Sequence, residues 1–192
     1  MVDFVPSAPE QRLPPLENAL ARYPEAIGFG VKLELPPLVM DLLPTGWEDA
    51  EQHLPGVSRM LVGPPDEAGF SPHSMIVSSA LFAADTEFDR TVVFAGVVAE
   101  FTAFDDGAAT SVEVFANGPV AARLRGTYRD GTLALAAESQ YYWFVSGRSA
   151  WIVNCVHTWR ADGTSDLPGW AEILATVYDG DIRATFAGVS SR

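Results

Sequence analysis

Three side chains in the C-terminal half of the sequence carry groups that could do nucleophilic chemistry. Cys155, the single cysteine, and His157 lie two residues apart in the run RSAWIVNCVHTW, and Glu138 lies in the preceding run LALAAESQYYWFV. A thiol beside an imidazole that is oriented by a carboxylate is the arrangement that activates cysteine nucleophiles. These residue types therefore raise the hypothesis of an enzyme.

The two runs are predicted to form a β-hairpin around the turn Ser146-Gly147. This register places Glu138 opposite Cys155 and Ala136 opposite His157. Because side chains alternate between the two faces of a strand, Glu138, Cys155 and His157 are expected to share one face of the sheet.

The spacing along the strand argues against catalysis. Residues i and i+2 of a strand have Cα atoms about 6.5–7 Å apart and parallel side chains, which does not bring a sulfur within bonding reach of a ring nitrogen. No glycine-rich turn adjoins the cysteine to supply an oxyanion hole. We therefore predict no catalytic residue, and interpret Cys155 as a small buried hydrophobe and His157 as a half-exposed polar cap.

The sequence also lacks the spacing of a metal or cofactor site. His53 and His73 have no fixed ligand spacing between them, and a single cysteine cannot form a zinc or iron–sulfur cluster site. Neither a phosphate-binding glycine loop nor a G-x-S-x-G elbow is present. We predict no metal and no cofactor, and interpret both histidines as solvated loop residues.

Aromatic side chains are the other candidates for function. Alternation puts Tyr142 and Trp151 on one face of the predicted hairpin and Trp143 on the other. If helices cover only one face, part of this set is exposed for recognition; if both faces are covered, the set is core. Both interpretations stay open here. The predicted partner-binding residues are Trp47, Phe70, Tyr142, Trp143, Trp151 and Trp170.

Composition excludes some partners and suggests a compartment. The 192 residues contain 12 Lys and Arg against 25 Asp and Glu, a formal net charge of −13, so the phosphates of a nucleic acid would be repelled. No apolar run reaches the roughly 18–20 residues that span a bilayer, and the start MVDFVPSAPEQRLPP does not read as a leader. We expect a cytoplasmic chain, secreted only if a leader has been removed.

The elements that would position these residues form an α+β pattern. We predict a proline-rich arm at 1–26 with a short helix at 16–23, followed by one domain at 27–192. Tight turns between the later strands predict an antiparallel meander. The predicted strands are 27–35, 38–49, 58–62, 74–82 and four more between 111 and 159, and the predicted helices are 86–104 and 167–178.

Several stretches, in this order, resemble the PsbP-like family and its actinobacterial LpqN-like branch. These are LLPTGWEDA, FSPHSMIVSSALF, NGPVAARLRGTYRDG and the Gln-aromatic hairpin with its glycine turn, followed by a terminal helix. The resemblance covers roughly residues 28–187. It implies an α/β/α fold with a twisted antiparallel sheet of about six or seven strands between helices. It also implies non-enzymatic binding or assembly, with protein or lipid-like partners.

Three functional hypotheses follow. The first is a non-enzymatic binding or adaptor domain that recognises a protein or lipid-like partner through its sheet face and aromatic loops. The alternative is a small-molecule carrier or enzyme whose apolar pocket is lined by Glu138, Cys155 and His157. The third, based on charge alone, is an immunity or secretion-accessory protein with a basic partner.

Overall fold

The computed structural model describes residues 14–30, 44–50, 57–83, 87–146 and 148–163. Within these ranges the helices are α1 (Pro14–Arg22), α2 (Arg90–Phe94) and α3 (Ala99–Thr102). The strands are β1 (Ile27–Gly30), β2 (Glu48–Asp49), β3 (Val57–Val62), β4 (His73–Phe82), β5 (Ala108–Val114), β6 (Val120–Asp130), β7 (Leu133–Ser146) and β8 (Ser149–Arg160).

The strands of the described residues form one antiparallel sheet. Its order is β2-β3-β4-β8-β7-β6-β5, and β1 pairs with β4 off this path. The predicted α+β class and the meander of the last four strands are confirmed. The described part of the sheet has eight strands rather than six or seven, because a two-residue strand, β2, also pairs along β3. Residues 31–43 of the predicted early strands and the predicted helix 167–178 lie outside the described residues.

The helices pack on one face of this sheet, which we call the helix face. It carries Leu81, Leu124, Tyr141 and Ile152, each fully buried. From the helices, apolar side chains of α1, α2 and α3 complete this core, namely Leu16, Ala19, Val93, Phe94 and Phe101. The predicted helix at 16–23 is therefore confirmed as α1, and its apolar side is part of the body of the protein.

The single helix predicted at 86–104 is wrong: two short helices stand there, joined by turns at residues 95–98. The reason is Asn18 of α1, whose side-chain amide donates hydrogen bonds to the backbone oxygens of Val92 and Val93. In a continuous helix those oxygens would accept from the backbone four residues further on. Gly96 makes room for this side chain, because a Cβ at residue 96 would approach Asn18 to 3.3 Å.

Close backbone contacts hold α3 against the strands that follow it. A Cβ on Gly107 would lie 1.7 Å from the backbone oxygen of Phe101, and a Cβ on Gly126 of β6 would lie 2.5 Å from the Phe101 ring. Only glycine fits at such distances. These two glycines fix where the chain leaves α3 and enters β5.

The second face of the sheet, which we call the opposite face, is buried at its centre as well. Ile76 of β4, Val153 of β8 and Tyr142 of β7 are fully buried there, and Cys155 is 5% exposed. Both faces of the hairpin are therefore interior surfaces, as the interpretation of the aromatic residues as core requires.

Candidate functional site

The register of the β7–β8 hairpin differs from the predicted one by two residues. Glu138 lies opposite His157, and Cys155 lies opposite Gln140. The turn lies one residue further along, so that the exposed Arg148 sits in the turn instead of pairing within the ladder. A shift of two residues leaves every side chain on its predicted face, because strands have a side-chain period of two. Glu138, Cys155 and His157 therefore share the opposite face, as predicted.

The protonation states and hydrogen bonds of these three groups do not activate a nucleophile. Burial raises the pKa of the Cys155 thiol to about 12, so the sulfur is protonated at neutral pH. Burial lowers the pKa of His157 to about 4, and its Nδ1 donates to the backbone oxygen of His73 at 3.1 Å. Glu138 accepts a hydrogen bond from Arg125 Nε at 2.7 Å. The predicted burial of Cys155 is confirmed.

We predict that Cys155 resists alkylation in the folded protein. A thiol that is buried and has a raised pKa supplies almost no thiolate, which is the reactive form. Labelling with a thiol reagent, followed by mass spectrometry with and without denaturant, measures this directly. We expect modification only after unfolding. Rapid labelling of the native chain would instead favour the carrier or enzyme hypothesis.

At one end of the sheet, aromatic and imidazole rings gather into what we call the aromatic–imidazole cluster, formed by Trp47, His157 and Trp159. The His157 ring stacks on the Trp159 ring with centroids 5.1 Å apart. The centroid of the Trp47 ring lies 6.0 Å from that of the same His157 ring. Phe70 and His73 form a separate pair with ring centroids 6.0 Å apart. Alternation along β4 places the His73 side chain on the helix face, whereas His157 lies on the opposite face. His73 is buried, whereas Phe70 and the three residues of the cluster are partly exposed.

Local structure explains how the chain places these rings. Trp47 follows a turn closed by its backbone N–H donating to the Pro44 oxygen at 3.0 Å, and it packs on Gly63, where a Cβ would approach the indole to 2.7 Å. Phe70 ends a loop in which Asp66 Oδ1 accepts the backbone N–H of Phe70 at 2.9 Å. Small and turn-forming residues thus hold two large rings at the start of β4 and the end of β8.

The interpretation of His73 as a solvated loop residue is wrong. It is the first residue of β4 and only 7% exposed, and burial lowers its pKa, while its Nδ1 lies 3.3 Å from the Ser71 oxygen. The strand begins earlier than its sequence pattern indicates, because β3 and β8 both pair with that residue. His53 lies outside the described residues.

The six predicted partner-binding residues do not form one patch. Trp47 lies in the aromatic–imidazole cluster, whereas Phe70 lies beside His73, outside it. On the opposite face, Tyr142 is fully buried and Trp151 lies six residues before His157 on β8, about 20 Å away along the strand. Trp143 lies on the helix face, 5.7 Å from the Phe94 ring. Trp170 lies outside the described residues, and partner binding by the set stays a prediction.

A buried polar group that the sequence did not single out lies under α3. The Glu100 carboxylate accepts hydrogen bonds from the hydroxyls of Ser139 and Tyr141, the latter at 2.8 Å, and from the Asn154 side chain. All three donors are almost completely buried. Burial raises the pKa of Glu100, although these hydrogen bonds act in the other direction. The carboxylate therefore ties α3 to β7 and β8.

Replacing Glu100 with alanine is predicted to cost about 1–3 kcal/mol of unfolding free energy, because buried hydroxyls of Ser139 and Tyr141 lose their acceptor. Glu100→Gln keeps one carbonyl acceptor and should cost less. Urea unfolding followed by circular dichroism measures both variants. Equal stability of the alanine variant and the parent chain would contradict this role.

The geometry of the described residues includes no group of three or more His, Cys, Asp or Glu side chains arranged to hold a metal ion. Among the same residues, no helix combines the length and apolar character needed to cross a membrane.

Comparison with known proteins supports the fold. A solved structure of LpqN, described as involved in cell envelope biogenesis of Mycobacterium tuberculosis, matches with a TM-score of 0.52 and 14% sequence identity. The match covers 71% of this chain and 80% of that chain. No family model and no curated protein matches the sequence. The predicted LpqN-like fold is therefore confirmed as a fold, and membership of the PsbP-like family stays a prediction.

Proposed function

We propose that this chain is a non-enzymatic binding or adaptor domain that recognises a protein or lipid-like partner through the aromatic–imidazole cluster. The observation that carries the proposal is the partly exposed group of rings at Trp47, His157 and Trp159. Large amphipathic rings of this kind contribute much of the binding energy at recognition surfaces, since they bury area with little loss of side-chain freedom.

The chemistry of the cluster supports binding rather than catalysis. His157 is uncharged at neutral pH because its pKa is about 4, so the cluster presents rings without a positive charge. The thiol on the same strand is protonated, and the nearby carboxylate of Glu138 is bonded to Arg125. Such a surface suits contacts with apolar side chains or acyl chains. A binding or adaptor role is also compatible with the similarity to LpqN, which is described as involved in cell envelope biogenesis.

The proposal is tested by comparing two matched aromatic variants. Trp47→Ala removes a ring of the cluster, and Phe82→Ala removes a 42% exposed ring at the other end of β4. Immobilised chain is incubated with an extract of the source cells, and separately with vesicles of an anionic and of a neutral lipid. We expect the parent chain and Phe82→Ala to retain bound material and Trp47→Ala to lose it.

Circular dichroism spectra must show that Trp47→Ala remains folded. Recovery of no protein and no vesicle above background by the parent chain would contradict the proposal. Retention of the same partner by a folded Trp47→Ala variant would contradict the assignment of the surface. Release of a small molecule from the purified chain, together with rapid labelling of Cys155, would favour the carrier alternative.

A further inference from the structure

A strand edge of the described sheet lies exposed at the end away from the aromatic–imidazole cluster. β5 pairs with β6 on one side, and no described strand pairs with its other side. Six of the seven residues of β5 are exposed. Val112 and Val114 are 42% and 44% exposed. An open edge offers unpaired backbone N–H and C=O groups to a further strand.

β5 has few of the sequence features that usually prevent an exposed strand edge from pairing with another chain. β5 has the sequence AATSVEV, which contains no lysine or proline and one charged residue, Glu113. A bulge lies between Ala109 and Ser111, near the start of the strand. Beyond it, residues 111–114 pair regularly with β6. The part of the edge that carries both valines is therefore regular backbone, suited to pairing.

The hydrogen-bond pattern shows which residues face outward. The Phe115 N–H donates to the Ala121 oxygen at 2.8 Å, just beyond the end of β5. In an antiparallel ladder the residues that bond to one neighbour alternate along the strand, so Glu113 and Ser111 bond toward β6. Val112 and Val114 consequently direct their backbone N–H and C=O groups to the open side.

The edge is self-complementary about Val112. In a two-fold antiparallel pair centred there, Val112 lies opposite its own copy, and Glu113 lies opposite Ser111 of the second chain. Ser111 is itself next to Arg125 of β6, whose side chain is 61% exposed. Each Glu113 would thus approach an arginine. Centring the pair one residue later would put Glu113 against Glu113, and like charges directly opposite destabilise a sheet.

We propose that the β5 edge binds a second copy of this chain, joining the two sheets by antiparallel β5–β5 pairing centred on Val112. The local match of Val112 with Val112 and of Glu113 with Ser111 and Arg125 selects this partner despite the net charge of −13 on each chain. The aromatic–imidazole cluster lies on β8 and beside β2, so it stays uncovered in the dimer.

Cross-linking tests the register. In Val112→Cys the two Cα atoms of a directly opposed, hydrogen-bonded pair would lie about 5.5 Å apart, within disulfide range. The native thiol, Cys155, does not compete because it is buried with a pKa of about 12. The matched control is Val145→Cys at the hairpin end, where valine is 56% exposed. Under mild oxidation we expect a covalent dimer from the first variant, and little from the second.

Equilibrium sedimentation over a concentration series tests the affinity. Val112→Lys should raise the dimer dissociation constant by about tenfold or more, whereas Val145→Lys should leave it unchanged. A parent chain that stays monomeric throughout overturns the proposal, and so does a dimer that Val112→Lys leaves intact. If a monomeric chain loses capture of another protein through Val112→Lys, the edge belongs to an extended segment of that protein instead, and the second copy is excluded.

Discussion

Replacing Phe94 with alanine is expected to lower the free energy of unfolding by about 3–5 kcal/mol. Phe94 of α2 is fully buried and meets the rings of Tyr141 and Trp143 edge to face, with centroids 5.8 and 5.7 Å away. Its removal leaves a cavity between α2 and β7 and also removes two aromatic pairs. Urea unfolding monitored by tryptophan fluorescence provides the measurement.

Phe82→Ala is the matched control for that variant, since it deletes the same side chain where it is 42% exposed. Its expected cost is about 1 kcal/mol or less. Similar losses for the two variants would mean that the helices contribute little to the stability of the sheet. The contrast therefore tests whether the helix face is the main core.

Acidification from pH 6.5 to pH 4 is expected to remove about 3 kcal/mol of stability through His157. The unfolded imidazole has a pKa of 6.5, whereas burial lowers the folded pKa to about 4. Between these values the unfolded chain binds a proton that the folded chain does not, so the stability is complete above pH 6.5 and falls as the pH decreases. His73, whose pKa is also lowered, acts in the same direction. Denaturant titrations across this pH range measure the slope.

The control for this prediction is His157→Asn, whose amide can still donate to the backbone oxygen of His73. This variant is expected to have lower stability at neutral pH, because the stacking on Trp159 is lost, and a shallower dependence on pH. An unchanged slope would assign the acid sensitivity to other groups. A parent chain with constant stability over the range would contradict the burial of the imidazole.

The faces of the strands could be predicted from the sequence, but their register could not. Alternation places Cys155 and His157 on one face of β8 whatever the exact turn, and the observed shift of two residues leaves Trp143 of β7 on the other face, because the side-chain period is two. The turn lies one residue later than predicted, with the exposed Arg148 in it, and this shifts every pair by two residues. The faces are thus local properties of each strand, whereas the register depends on the folded hairpin.

The parts that could not be predicted depend on contacts distant in sequence. The helix around residues 86–104 is interrupted because Asn18, more than seventy residues earlier, bonds to Val92 and Val93. The role of Glu100 could not be predicted either, because its three hydrogen-bond donors lie on β7 and β8, distant in sequence. The aromatic–imidazole cluster joins Trp47 to His157 across most of the chain. Periodicity within one segment carries no information about such pairs.

The order of strands places the aromatic–imidazole cluster toward one end of the sheet and β5 at the other. Joining two chains at β5 would carry their clusters outward in a bivalent particle. Against a crowded surface that displays many copies of a ligand, the second contact would form at a high effective concentration, so residence would outlast that of either site alone. Weak individual recognition would then be sufficient for durable attachment.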